Sequence, residues 1–234
     1  MMQIYSFTAG PWQTNCYIVA PSDGSECLII DPGMKAASQV RDVVAEHKLK
    51  PVAVLVTHGH IDHMWSVFPV ASGYGIPALI HGSDRHLLAD PGFAISAETR
   101  AALPTMMGSE DVFAEPEDVR EVTDNMSLAI AGFDITIRHA PGHTAGSVLF
   151  DFDGGNNDSQ RNIFTGDVLF AGAIGRTDLP SGSPEEMNAS LRNVVLSLED
   201  NSRILPGHGP SSFMNIERET NPYLLRIAQG LSAT

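Results

Sequence analysis

Residues 54–65 read VLVTHGHIDHMW, and the fold of the whole chain can be worked out from this stretch. Val52–Val56 is an unbroken apolar run of strand length, of the kind buried on both faces. It leads straight into a turn made of His58, Gly59, His60, Ile61, Asp62 and His63, which uses three of the nine histidines in the chain. A surface loop can carry a few histidines without function, but not at this density. Spacing shows how the turn is used. On a helix, His58 and His60 would lie about 200° apart and could not face one ion. In an extended segment residues two apart share a face, so both imidazoles can point at one ion as the strand ends. Asp62 and His63 lie past the bend, where a helix begins, and can reach a second ion. Alone, Asp62 would read as a helix N-cap; beside these neighbours it reads as a ligand.

One turn cannot complete two coordination shells. Three later stretches have the same form, a short glycine-flanked loop at the end of a strand: HAPGHTAGS with His143, IFTGDVLF with Asp167, and ILPGHGP with His208. Glycine beside each donor lets the backbone turn sharply and come close to the site. Any one of these loops is weak support by itself. With the first turn they make seven donors, all nitrogen or oxygen, the number needed for two ions sharing one bridging carboxylate. A His and Asp set without cysteine suits zinc, and also iron or manganese.

Outward from the turn, Ile4–Phe7, Cys16–Ala20, Cys27–Ile30 and Ala78–His81 read as strands, and Ala36–His47 and Trp65–Tyr74 as helices. The second half repeats the grammar, with strands at Leu128–Ile130, Asp134–His139, Ser147–Phe152, Ile163–Thr165 and Arg203–Leu205. Helices follow at Pro184–Leu198 and Ile216–Gln229, the latter interrupted at Asn221-Pro222. Residues 84–125, broken by prolines and acidic groups, are expected as short helices over one end of the site, and GGNNDSQRN as a hairpin loop. Strands then helix, twice over, predict two sheets packed face to face with helices outside, in a single domain over 1–234. A net charge of −14 argues against a broad nucleic-acid surface. No stretch approaches the roughly 20 apolar residues of a membrane span. The amino terminus lacks the marks of a secretory signal, and Cys16 and Cys27 read as buried free thiols, so the expected compartment is the cytoplasm. His47, His81, His86 and His139 are expected to be mainly structural.

With THGHIDH, PGHT, TGD and PGHG in that order, the chain resembles the metallo-β-lactamase fold superfamily over nearly its whole length. The resemblance implies an α/β fold, a four-layer αββα sandwich with metals at one edge of the paired sheets. It implies His58, His60 and His143 on a first metal, Asp62, His63 and His208 on a second, and Asp167 bridging them. IIDPGM at 29–34, GDVLFAGAIGRTD at 166–178 and ERETNPYL at 217–224 are similar to the glyoxalase II-like (hydroxyacylglutathione hydrolase) branch. That branch implies hydrolysis of a thioester of a small thiol by a metal-bridging hydroxide. Asp62 would orient the hydroxide, and zinc is the expected metal, with iron or manganese compatible. It also implies that Asp31 supports the metals from below and that Arg176 lies near the substrate thiol.

The chain departs from that branch in two places. Arg176 stands where the branch has a lysine, and Asp178 where it has a tyrosine. After Asn221-Pro222-Tyr223, Arg226 is the only cation where the branch carries several basic residues for glutathione. A different small thiol, or another ester, stays open. The rival reading comes from persulfide dioxygenases, which share the fold but use one iron, here on His58, His143 and Asp167. The expected partner is a small-molecule thioester, without nucleic acid or membrane.

Overall fold

The computed structural model describes residues 2–108, 112–154 and 160–233. Alternation along the strands builds its layers. In β2 (Thr14–Ala20, after β1, Gln3–Ala9), Cys16, Ile18 and Ala20 point one way while Tyr17 and Val19 point the other. The same alternation runs through β3 (Glu26–Ile30) and β4 (Lys50–Leu55), which with β5 (Ala78–His81) and β6 (Val119–Val122) complete a six-stranded sheet in chain order. β1 to β3 pair antiparallel and β3 to β6 parallel. The second half supplies β7 (Ser127–Ile130), β8 (Phe133–His139), β9 (Val148–Phe152), β10 (Asn162–Gly166), the small hairpin β11 (Leu169–Phe170) and β12 (Ala173–Ile174), then β13 (Arg203–Pro206) and β14 (Ser212–Phe213). Its six-stranded sheet runs β14-β13-β10-β9-β8-β7, with β10 and β13 parallel.

Between the sheets, Val19, Leu28 and Leu55 meet Ile137, Phe150, Phe152 and Phe164 in one buried cluster. Tyr17 and Phe164 cross it edge to face, centroids 5.1 Å apart. Outside the first sheet, α1 (Ala37–Glu46) brings Val40 and Val44 onto Ile18, Ile29 and Val54; α2 (Ile61–Met64) and α3 (Val67–Tyr74) follow β4, and Val67 and Val70 join the same cluster. After α4 (Ala97–Met106), the outer face of the second sheet is covered by α5 (Pro184–Asn193), α6 (Met214–Thr220) and α7 (Pro222–Ala228), with Met187, Leu191, Leu224 and Ile227 packed on Leu149, Ile163 and Ile204. The layers are therefore αββα, as expected from the sequence.

Several boundaries differ from that expectation. The stretch expected as short helices also contains β6, which pairs parallel with β5 and closes the edge of the first sheet. Pro184–Leu198 stays α-helical only to Asn193 and ends in a 3-10 turn at Val195–Ser197. At its start Ser183 accepts a hydrogen bond from Glu186 N, with Pro184 in the first turn, a strong N-terminal signal. Ile216–Gln229 splits into α6 and α7, because Pro222 has no N–H to continue α6 and the Asn221 side chain caps α7 instead. Residues 155–159 of GGNNDSQRN lie outside the described residues. Cys16 and Cys27 are buried and unpaired, and burial pushes the Cys27 thiol up to about 12. No helix of the described residues is long and apolar enough to cross a membrane.

The inter-sheet cluster carries the fold, so Phe150→Ala should be costly. Phe150 is fully buried, and its truncation should cost about 3–5 kcal/mol. Urea unfolding checks this through a lower midpoint at unchanged slope.

Candidate metal centre

β4 ends at Leu55, the chain remains extended to His60 (φ −66°, ψ 144°), and α2 starts at Ile61. That backbone sends His58 and His60 into the space where the two sheets meet, and lifts Asp62 and His63 on the first helical turn. The His143, Asp167 and His208 loops, at the ends of β8, β10 and β13, arrive in the same place. His60 Nδ1 and His143 Nε2 converge to 2.7 Å, and the His58 ring centroid is 4.9 Å from His60 and 4.7 Å from His143. Each of these three histidines offers one nitrogen within 4.8 Å of the others. Asp62, His63 and His208 form a second such group, with His208 Nε2 3.2 Å from Asp62 Oδ2 and 3.3 Å from His63 Nε2. Asp167 faces both groups. Its Oδ1 is 3.3 Å from His63 Nε2, while Oδ2 is 3.5 Å from both His143 Nε2 and His208 Nε2.

These groups fit divalent cations on a direct observation. His58 Nε2, His60 Nε2 and Asp167 Oδ1 are buried without a hydrogen-bond partner. An unsatisfied buried polar atom costs about 1–3 kcal/mol, and inward-facing imidazole and carboxylate donors are the set that zinc, iron or manganese takes.

Three of the rings are anchored through their other nitrogen, which fixes their orientation. His63 Nδ1 lies 2.9 Å from Asp31 Oδ2, His58 Nδ1 3.1 Å from Thr57 Oγ1, and His143 Nδ1 2.8 Å from the Arg176 carbonyl. Thr57 donates to Asp31 through both its N–H (2.8 Å) and its hydroxyl (2.6 Å). Asp31 therefore sits beneath the cluster, at φ +48°, a left-handed conformation that aspartate tolerates better than most residues. Thr14 Oγ1 donates to Asp62 Oδ2 at 3.0 Å. The glycine at 207 is required for close approach, since a Cβ there would lie 2.3 Å from Asp167 Oδ1 and 2.5 Å from His63 Cε1.

Charge is divided unevenly between the two groups when no cation is present. Burial, reinforced by the neighbouring imidazoles, pushes His58 well down and His60 to about 3, so both are neutral. Burial also opposes charge on His63 and His208. There the carboxylates of Asp167 and Asp62 outweigh it, lifting His63 well above the usual imidazole range and His208 to about 9. Burial alone would raise Asp62 and Asp167, but the facing His63 and His208 hold both below the ordinary carboxylate range.

Sequence reasoning missed Asp84. Its buried carboxylate accepts hydrogen bonds from Gly59 N (2.8 Å), Gly146 N (2.8 Å) and Thr144 Oγ1 (2.6 Å), so it ties the loop of His58 and His60 to the loop of His143. Nothing in the spacing of GSDR marks it. His81 and His139 stay outside both groups; they stack 4.1 Å apart, and His139 Nε2 meets the Ala145 carbonyl at 2.9 Å. Over the donors opens a cavity of about 230 Å³ whose walls include Trp12, Ile61, Ile95, Leu179 and Arg176. The Asn221 side chain donates to the Ala173 carbonyl at 3.2 Å and so secures the β11–β12 hairpin that leads to Arg176.

Residues 9–208 match the metallo-beta-lactamase superfamily, and the chain belongs to that family. Hydroxyacylglutathione hydrolase GloC of Haemophilus influenzae is 31% identical over 223 residues, 95% of this chain and 98% of GloC. The crystal structure of BLEG-1 B3 metallo-beta-lactamase is similar with a TM-score of 0.80 at 34% identity, covering 96% of this chain and 99% of that one. TTHA1623, solved in a di-iron-bound form, is similar with a TM-score of 0.76 at 33% identity, over 94% of this chain and all of that one (100%).

Two outcomes follow from this geometry. In the cation-free protein at neutral pH His63 and His208 hold protons that a cation must displace, so metal uptake should release protons. Affinity should rise with pH through the loss of the His208 proton at about 9; calorimetry in buffers of different ionisation enthalpy reads the protons directly. Asp84→Asn should weaken binding at the three-histidine group by about 10–100-fold, and the Asp62–His63–His208 group less. Cobalt titration followed by absorbance separates the two.

Proposed function

We propose that this chain is a dinuclear metal hydrolase that cleaves the thioester of a small thiol. One observation carries the reading: two adjacent groups of buried and half-buried donors with the Asp167 carboxylate facing both, open to a cavity. The similarity to GloC supports the thioester as the bond cleaved. Zinc is the proposed metal, with iron as the alternative that the di-iron form of TTHA1623 supports.

Divalent ions in these groups would lower the pKa of water and polarise a carbonyl. The chain's own part is to place and deprotonate. Burial holds His58 and His60 neutral, and the Nδ1 atoms of His58 and His143 are engaged by Thr57 and the Arg176 carbonyl. Asp62 lines the cavity, is steadied by Thr14, and accepts the proton of the attacking water. The new C–O bond forms, the C–S bond breaks, and that proton passes to the departing sulfur. A simple thiol has a pKa of about 8.5, so the leaving group needs little acid help, which agrees with the lack of an extra acid among the described residues lining the cavity. Two unpaired buried thiols agree with a cytoplasmic setting.

The test pairs metal analysis with a substrate panel. Two ions per chain after reconstitution and turnover of small thioesters are expected. Asp167→Ala should lose one ion and nearly all turnover while the fold survives. A single ion with oxygen-dependent persulfide oxidation would favour a mono-iron centre on His58, His143 and Asp167. Turnover of β-lactams without thioesters would replace the thioester reading with the one that the BLEG-1 similarity suggests.

A further inference from the structure

The cavity wall away from the donors is apolar. Trp12, Ile61, Ala94, Ile95 and Leu179 form it, and Ile61 and Ile95 are backed by Trp65, Leu103 and Met106 in one cluster. Two features of the rim could in principle hold an anion. The first is Arg176, the one arginine or lysine lining the cavity among the described residues. The second is the amino-terminal end of α4, where Ser96 and Thr99 reach the cavity.

The chain's own groups engage both features. Arg176 engages Asp178 through two bonds, Nε to Oδ1 at 2.6 Å and Nη2 to Oδ2 at 2.7 Å. That fork–fork arrangement occupies the Nε–Nη2 edge of the guanidinium and offsets its charge. At α4, Ser96 Oγ caps Thr99 N at 3.2 Å, and Glu98 places a negative charge in the first turn. A net charge of −14 further disfavours the approach of anions.

We infer that the site takes a thioester whose thiol portion is uncharged and apolar, and that Asp178 sets this preference by pairing with Arg176, the arginine on the rim. The inference rests on the thioesterase reading for the reaction, and on the cavity wall and the Arg176–Asp178 pairing for selectivity. Glutathione, with its two carboxylates, is the disfavoured case. An N-acetylcysteamine thioester, with no charge and a short apolar stem, is the favoured one.

The experiment compares S-lactoyl-N-acetylcysteamine with S-lactoylglutathione at low ionic strength, on the metal-loaded protein. The acyl group and scissile bond are the same, so the ratio of kcat/KM reads the thiol portion alone. The wild type should favour the uncharged ester, with the difference in KM. Asp178→Asn should shift the ratio towards the glutathione ester by about two- to fivefold, the size expected for exposed ion pairing. A wild-type preference for the glutathione ester, or a ratio that Asp178→Asn does not move, overturns the inference. Binding of S-butyl-N-acetylcysteamine against S-butylglutathione by calorimetry separates the two layers of argument. Preference for the uncharged thioether in a protein that hydrolyses neither ester upholds the selectivity and sinks the thioesterase reading. Equal or reversed affinity overturns the selectivity whatever the turnover.

Discussion

The carboxylate of Asp31 is the interaction on which the rest of the site depends. It is buried at the end of β3, where an unmatched charge would be prohibitive, and it is matched three times: by Thr57 N, by Thr57 Oγ1 and by the Nδ1 side of His63. Those contacts extend the β3–β4 pairing past the last regular strand residues, where Asp31 N already donates to the Leu55 carbonyl. Thr57 then connects to the other sheet, its carbonyl accepting Val148 N at 2.9 Å. Gly166, at φ +48°, leaves room for the threonine side chain, since a Cβ there would lie 2.5 Å from Thr57 Oγ1. One aspartate and one threonine thereby set the distance between the sheets and aim two of the histidines.

This arrangement concentrates electrostatic conflict. Imidazoles forced neutral by burial stand beside imidazoles forced positive by carboxylates, and three buried polar atoms find no partner. A chain selected for stability alone would have resolved these conflicts with apolar residues. Their survival inside an otherwise conventionally packed αββα core links the fold to the chemistry, since divalent cations at these donors would relieve the conflict.

The parts legible in sequence were those governed by short-range periodicity. The apolar runs in NCYIVA and ECLII read as strands, as does the continuous Val52–Val56 run buried on both faces, and the layers follow. His58 and His60 are legible because extended spacing puts them on one face, and His143, Asp167 and His208 because glycine flanks each. What was not legible depends on partners far along the chain. Asp84 has its meaning only through Gly59, Gly146 and Thr144, up to 62 residues away. β6, with its charged Arg120 and Glu121, falls in a stretch that reads as short helices, and becomes a strand because β5 offers it a parallel edge. The Arg176–Asp178 pair is local, yet its position on the cavity rim depends on the His143 ring holding the Arg176 carbonyl.

The segment between β5 and β6 shows how the two levels of the site are coupled. Its first part supplies Asp84, which clamps the loops of His58, His60 and His143. Ten residues on, it supplies Ala94 and Ile95 to the cavity wall and Ser96 to the end of α4. α4 itself buries none of its residues completely and carries Pro104 within it, so its packing against the rest is slight. A short path of 3-10 turns, Arg85–Leu88 and Pro91–Ala94, joins the firmly held clamp to this loosely held wall. Leu87 and Leu88, both fully buried, pin the first turn, and Gly59 lies so close to Leu87 that a Cβ there would meet it at 2.5 Å. Ile95 packs in one cluster with Ile61, between His60 and Asp62, so substitutions from Ser96 onward can reshape selectivity at little cost to the donors. Any change that shifts Leu87 reaches the backbone between His58 and His60 directly, and selectivity can vary freely only on the far side of that leucine.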